Sequence, residues 1–228
     1  MLPAGAKRWR SGAVTPRPPC SARPVEEETR SDQRIVQSAL DVKTWVARLP
    51  SCAAVRPSKC TACSAPSRPV GSALVIVGHG LRVRTLEGPP APGQAPALTE
   101  VVARRYRCRA CHAILVVVPA GVSRGYRYGR SAMAWALSLW GYEHASAASV
   151  RAQTSTAKVV GASSATRWAS LRRWTRCAPR LFGIAHREQG TLRERAAAVA
   201  TFVAAHAPVS RGRVSLDAFF GAACCGSG

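Results

Sequence analysis

The spacing of apolar positions changes along the chain, and each change marks a different kind of element. Residues 1–25 mix Pro, Arg and Gly with no apolar period, a composition that predicts a disordered lead. From Glu26 to Leu49, the residues Ile35, Leu40, Val42, Trp45, Val46 and Leu49 form an imperfect helical stripe. One helix is expected there, ended by Pro50. Between Ala73 and Val118 the texture becomes β-like, in the runs "ALVIVGHG", "LRVRTLEG", "LTEVVARRYRC" and "AILVVVP". Val and Ile alternate with Gly, and the insert "GPPAPGQAPA" has the composition of a surface loop. A small antiparallel β module is predicted.

From Arg130 the period turns helical. Met133, Ala136, Leu137 and Trp140 fall at i, i+3, i+4 and i+7, one buried face of a helix that Gly141 is expected to end. A short helix fits Ser146 to Gln153, with a Ser as N-cap, and a third fits Ser163 to Cys177, stopping before Pro179. An Ala-rich helix over Thr191 to His206 precedes Pro208 and a loose tail. The fold class is therefore α+β. Residues 1–50 form a disordered lead with one helix, 51–122 the β module, 123–207 a helical domain and 208–228 a flexible tail. No internal repeat is present.

Composition adds a partner class. With 228 residues, 47% of them apolar, the chain can build a core. Its net charge of +22 and pI near 11.3 call for an anionic partner, nucleic acid or an anionic surface. The charge is concentrated: from Val101 to Arg187 there are 15 Lys or Arg and one acid, Glu143. No apolar run approaches the roughly 20 residues of a membrane span, and the first 25 residues lack a signal-peptide core. The expected location is cytoplasmic, with no membrane partner. Nine cysteines, an odd number, in a reducing compartment favour metal ligation or free thiols over disulfides.

The cysteines carry the clearest chemistry. "KCTAC" holds Cys60 and Cys63, and "RCRACH" holds Cys108 and Cys111, so two C-x2-C pairs stand 44 residues apart. One pair supplies two of the four ligands Zn²⁺ takes, and two pairs close a tetrahedral, structural site. Zinc is the expected cofactor; free thiols or a redox pair are the alternatives. The residue after each pair is often Gly, because the turn favours positive φ, but here it is Ser64 and His112. His112 reads as a turn residue rather than a ligand. His79, between two glycines, reads as an exposed turn residue, and Cys20, Cys52, Cys177, Cys224 and Cys225 have no matched spacing.

Arginine placement suggests how an anion is met. On a helical wheel Trp168, Leu171, Trp174 and Ala178 share one face, while Thr166, Ala169, Arg173 and Arg176 oppose them and Arg172 flanks. An anchored helix presenting Arg can read guanine edges in a major groove; the alternative is that its arginines only solubilise. Arg104, Arg105, Arg107 and Arg109 are candidates for phosphate contact. "SRGYRYGRS" places Tyr126 and Tyr128 among Arg residues, suited to stacking on bases or to a linker. "HASAASVRAQTSTAKVVGASSATRW" can be read as helix-turn-helix, with a linker longer than the usual tight turn.

Together, "CTAC", "VGHGLRVRTLEGP", "RRYRCRACHAILVVVP", "RYGRSAMAWALSLWG" and "RWASLRRWTR" resemble the N-terminal recognition region of bacterial insertion-sequence transposases. In those a four-cysteine zinc ribbon leads into a helix-turn-helix. The chain is also similar to an uncharacterised bacterial group that carries this region without a nuclease domain. The resemblance implies duplex-DNA binding at transposon-like or regulatory sites, with a zinc-ribbon β module and a helix-turn-helix-like bundle. It does not carry catalysis over: two-metal nucleases need clustered acids, and after residue 130 the acids are Glu143, Glu188, Glu194 and Asp217. The expectation is a non-enzymatic DNA-binding protein with no small-molecule substrate. A protein-interaction module, with a protein partner in a transposition or transcription assembly, is the alternative.

Overall fold

The branched run Ile114–Val118 forms a strand in which every residue is buried, as a run of Val, Ile and Leu with no alternation requires. In the computed structural model, which describes residues 33–157, 168–185 and 189–225, this strand lies inside a four-stranded sheet. In chain order the strands are β1 (Arg34–Gln37), β2 (Ile76–Gly88), β3 (Ala97–Cys108) and β4 (Ile114–Val118). They pair in the order β1-β4-β3-β2. β2, β3 and β4 are antiparallel neighbours, and β1 runs parallel to β4, with Ile35 opposite Val116. "GPPAPGQAPA" connects β2 to β3 as expected.

The long helix expected over 26–49 is corrected within the described residues. Arg34–Gln37 is a strand, and only Val42–Ala47, α1, is helical. The β-branched pair Ile35 and Val36 fits beside β4, and Asp41 starts the helix afresh, its carboxylate accepting from Thr44 N at 2.8 Å. Residues 33–50 thus belong to the sheet half rather than to a lead. Trp45 is buried and donates Nε1–H to the Val102 carbonyl at 2.9 Å. The Tyr106 hydroxyl donates to Cys52 O at 2.8 Å, which fastens the next turn to β3. His79, expected in a turn, lies exposed in β2 at a register shift between Gly78 and Leu81.

Among the described residues six further helices follow: α2 (Arg130–Gly141), α3 (Ala147–Thr154), α4 (Ala169–Arg176), α5 (Ala178–Phe182), α6 (Leu192–Ala204) and α7 (Val214–Gly221). α2 is the hub: Ala132 through Leu139 are all buried, and α3, α4, α6 and α7 pack around it. One buried face was expected, and the structure shows burial on every side. Gly141 ends α2 and also permits close crossing, since a Cβ there would collide with the Ala196–Ala197 backbone. Ser146 caps α3, and Thr191 and Glu194 form a reciprocal capping box on α6.

The third expected helix, 163–177, is described only from residue 168. Trp168 is its N-cap and residues 163–167 lie outside the described residues. Beyond it Pro179 does not stop the chain but sits in the first turn of α5, where its missing N–H costs nothing. The flexible tail expected over 208–228 is also corrected within the described residues. α7 buries Ala218 and Phe219, and Ala222 and Cys225 are buried behind it. Among the described residues, no helix is long and apolar enough to cross a membrane.

Two buried polar groups join the halves. Glu87, at the end of β2, accepts from Ser155 Oγ at 2.8 Å, Thr156 N at 2.7 Å and Thr156 Oγ1 at 3.0 Å, and pairs with Arg127 Nε at 2.9 Å. Arg130, fully buried at the start of α2, donates to the Gln37 side chain of β1 and to Cys225 O.

Candidate metal centre

Two short turns bring the cysteines together, and they are built alike. In the first, Ser64 N donates to Cys60 O at 2.9 Å and Cys60 N to Ala65 O at 2.8 Å. In the second, His112 N donates to Cys108 O at 2.9 Å and Cys108 N to Ala113 O at 3.0 Å. Ser64 and His112 occupy equivalent positions at φ +61° and +62°, the left-handed conformation expected after each pair even though neither is glycine. Each turn therefore curls its two thiols inward. A backbone chain fixes them relative to each other: Ser67 N donates to Ser58 O, Val75 N to Ser67 O, and Arg109 N to Val75 O at 2.8 Å.

The result is a cluster of four sulfurs, from Cys60, Cys63, Cys108 and Cys111, all within 4.8 Å of one another. The closest contacts cross between turns, Cys60 to Cys111 at 3.7 Å and Cys63 to Cys108 at 3.8 Å. Four sulfurs placed tetrahedrally at about 2.3 Å from one ion would stand about 3.8 Å apart. The cluster can hold a metal ion and is compatible with zinc. Cys60 and Cys108 are buried, whereas Cys63 and Cys111 are exposed, so the inner pair anchors the site to the sheet core and the outer pair closes it.

The protonation equilibria of the thiols diverge. Burial pushes the Cys60 thiol up, but amide N–H groups of Cys63 and Ala62 and the neighbouring thiols bring it down to about 7. At Cys111 the Ala113 amide lowers the value, yet burial and hydrogen bonds with the other three thiols push it up to about 12.

The arginine candidates fall on two other surfaces. Arg104 and Arg105 are half-buried in β3, with Arg104 Nε donating to Pro50 O at 2.8 Å. Arg107 and Arg109 are exposed beside the second turn, Arg107 within 3.2 Å of His112 Nδ1. The residues of the expected apolar face are all buried: Leu171 and Trp174 on α4, Trp168 at its N-cap and Ala178 at the start of α5. Arg172, Arg173 and Arg176 are exposed opposite it. Arg173 lies 4.7 Å over the Tyr126 ring and donates to Gly125 O.

Tyr126 and Tyr128, suited by sequence to base stacking or to a linker, make contacts within the protein. Tyr128 packs edge-on to Trp168 and Trp174 and donates to Ser155 Oγ at 2.9 Å, and Tyr126 sits beneath Arg173. Sequence reasoning missed Glu87 and Arg130 as polar anchors, and Arg82 and Arg84 on the outer strand. The acid-poor neighbourhood of Arg82 and Arg84 was the available signal. Comparison with protein-family models, with curated proteins and with solved structures returns no match.

Proposed function

We propose that this is a non-enzymatic, zinc-stabilised DNA-binding protein, transposase-derived or regulatory, whose β half is a zinc ribbon and whose helical half works as a helix-turn-helix-like reader. The observation that carries it is the sulfur cluster, whose two turns repeat each other bond for bond. In this reading Cys60, Cys63, Cys108 and Cys111 hold Zn²⁺, which supplies cohesion to a small sheet. With thiolates in all four positions the ion has no site open to substrate, so its role is structural.

Duplex DNA is the favoured anion. Exposed aromatic platforms serve single strands, and among the described residues Tyr142 is the one large aromatic side chain standing out as exposed, at 52%. The exposed arginines of α4 and of the second cysteine turn suit phosphate and groove-edge contact instead. A salt titration tests this. Affinity for a labelled duplex should fall steeply between about 50 and 200 mM salt, and Arg172→Ala with Arg176→Ala should flatten the log–log slope by up to about 1.8 units, near 0.9 per lost phosphate contact. Undiminished slope in the double variant removes α4 from the interface, and stronger binding to single strands overturns the duplex reading.

A further inference from the structure

Sheet order leaves β2 at an edge. Its inner side bonds to β3 and, among the described residues, no strand pairs along its outer side. Open edges recruit other strands, so proteins usually keep them short, bent or covered. β2 is bent at one end by the register shift after Gly78, where Gly80 takes φ +94°. At the other end Glu87 is tied by backbone bonds to Arg127 and Gly129. Between them Leu81–Thr85 keeps regular register with β3, and Leu81 is 49% exposed and Val83 58%.

The two faces of that stretch differ. Register places Arg82 and Arg84 with Ala103 and Val101 on one face, and Leu81 and Val83 with Arg104 and Val102 on the other. Arg82 donates to the Gln33 side chain and Arg84 to Ser123 O. Among the described residues neither meets a carboxylate. Burial and the adjacent Arg82 both disfavour the charge on Arg84, a condition that a nearby anion relieves.

We propose that the Leu81–Thr85 edge of β2 captures an extended acidic peptide as a fifth strand. Its alternate carboxylates would face Arg82 and Arg84, and its intervening apolar side chains would cover Leu81 and Val83. Backbone bonds supply affinity and the alternation supplies specificity. A second copy fits poorly, because two-fold antiparallel pairing through β2 keeps each face on its own side and sets the arginines of one copy against those of the other. Nucleic acid would use the arginines but leave the apolar side chains and the backbone edge unused. The proposal does not depend on the DNA-binding reading.

The test titrates the full-length protein into a fluorescent, acetylated short peptide of alternating Glu and Val. A peptide of the same composition with its Glu residues in one block serves as the comparison. The alternating peptide should bind, and Val83→Lys or Leu81→Lys, each shown to be folded by circular dichroism, should weaken it at least about tenfold. Charge attraction alone would instead tighten with an added lysine, so equal binding of both peptides or tighter binding by Val83→Lys overturns the proposal. A concentration-dependent dimer that Val83→Lys dissolves assigns the edge to a second copy and overturns it too, as does competition by duplex DNA that Val83→Lys leaves unchanged.

Discussion

Glu87 is a buried acid held by four donors. Burial alone would raise its pKa, but hydrogen bonds from Ser155 and Thr156 and the Arg127 guanidinium hold it below the ordinary 4.5. A depressed acid contributes stability that is fully present above its unfolded value and is lost as pH falls through the folded one. Glu87→Gln should cost about 1.5–3 kcal/mol at neutral pH. The gap between wild type and variant in urea midpoints should narrow below about pH 4.5, and a gap that stays constant into acid would contradict this. None of this was legible in the sequence: Thr156 stands 69 positions from Glu87, and no period links them. The cysteines were legible because each ligand pair is local, so spacing alone nearly fixes the turn.

Elements with their own start and stop signals matched their expected ranges. α2 begins at Arg130 and ends at Gly141, and α3 and α6 carry Ser146 and Thr191 as caps. Where partners decide, the pattern misled: Ile35 and Val36 belong to a helical stripe until β4 lies beside them. At the other end Asp217 was counted only as a lone acid. It accepts from Arg211 N and Ser210 Oγ, both at 2.7 Å, and so organises the loop ahead of α7, whose Phe219 packs edge-on to Trp135. α4 offers the sharpest prediction at this scale. Trp174→Ala should cost about 3–5 kcal/mol, whereas Arg172→Ala on the opposite face should stay within about 0.5 kcal/mol, both read from chemical denaturation. Equal costs would mean that α4 is not anchored by its apolar face.

At the scale of the molecule, a small metal-compatible sheet and a helical bundle are locked by few polar contacts. Arg130 ties β1, α2 and the segment after α7 through Gln37 and Cys225, and burial lowers its pKa. Arg130→Met should cost about 1–3 kcal/mol, because it leaves the Gln37 side chain and Cys225 O without their donor, and hydrogen exchange should report α7 opening first. Unchanged protection of α7 would show that the tail is held by apolar packing alone. Elemental analysis of the purified full-length protein asks whether Cys60, Cys63, Cys108 and Cys111, whose sulfurs lie within 4.8 Å of one another, hold one ion between them. About one zinc per chain is expected, lost together with the fold of the sheet half in Cys108→Ser. A folded protein with no bound metal and four freely titrating thiols at these positions would contradict it.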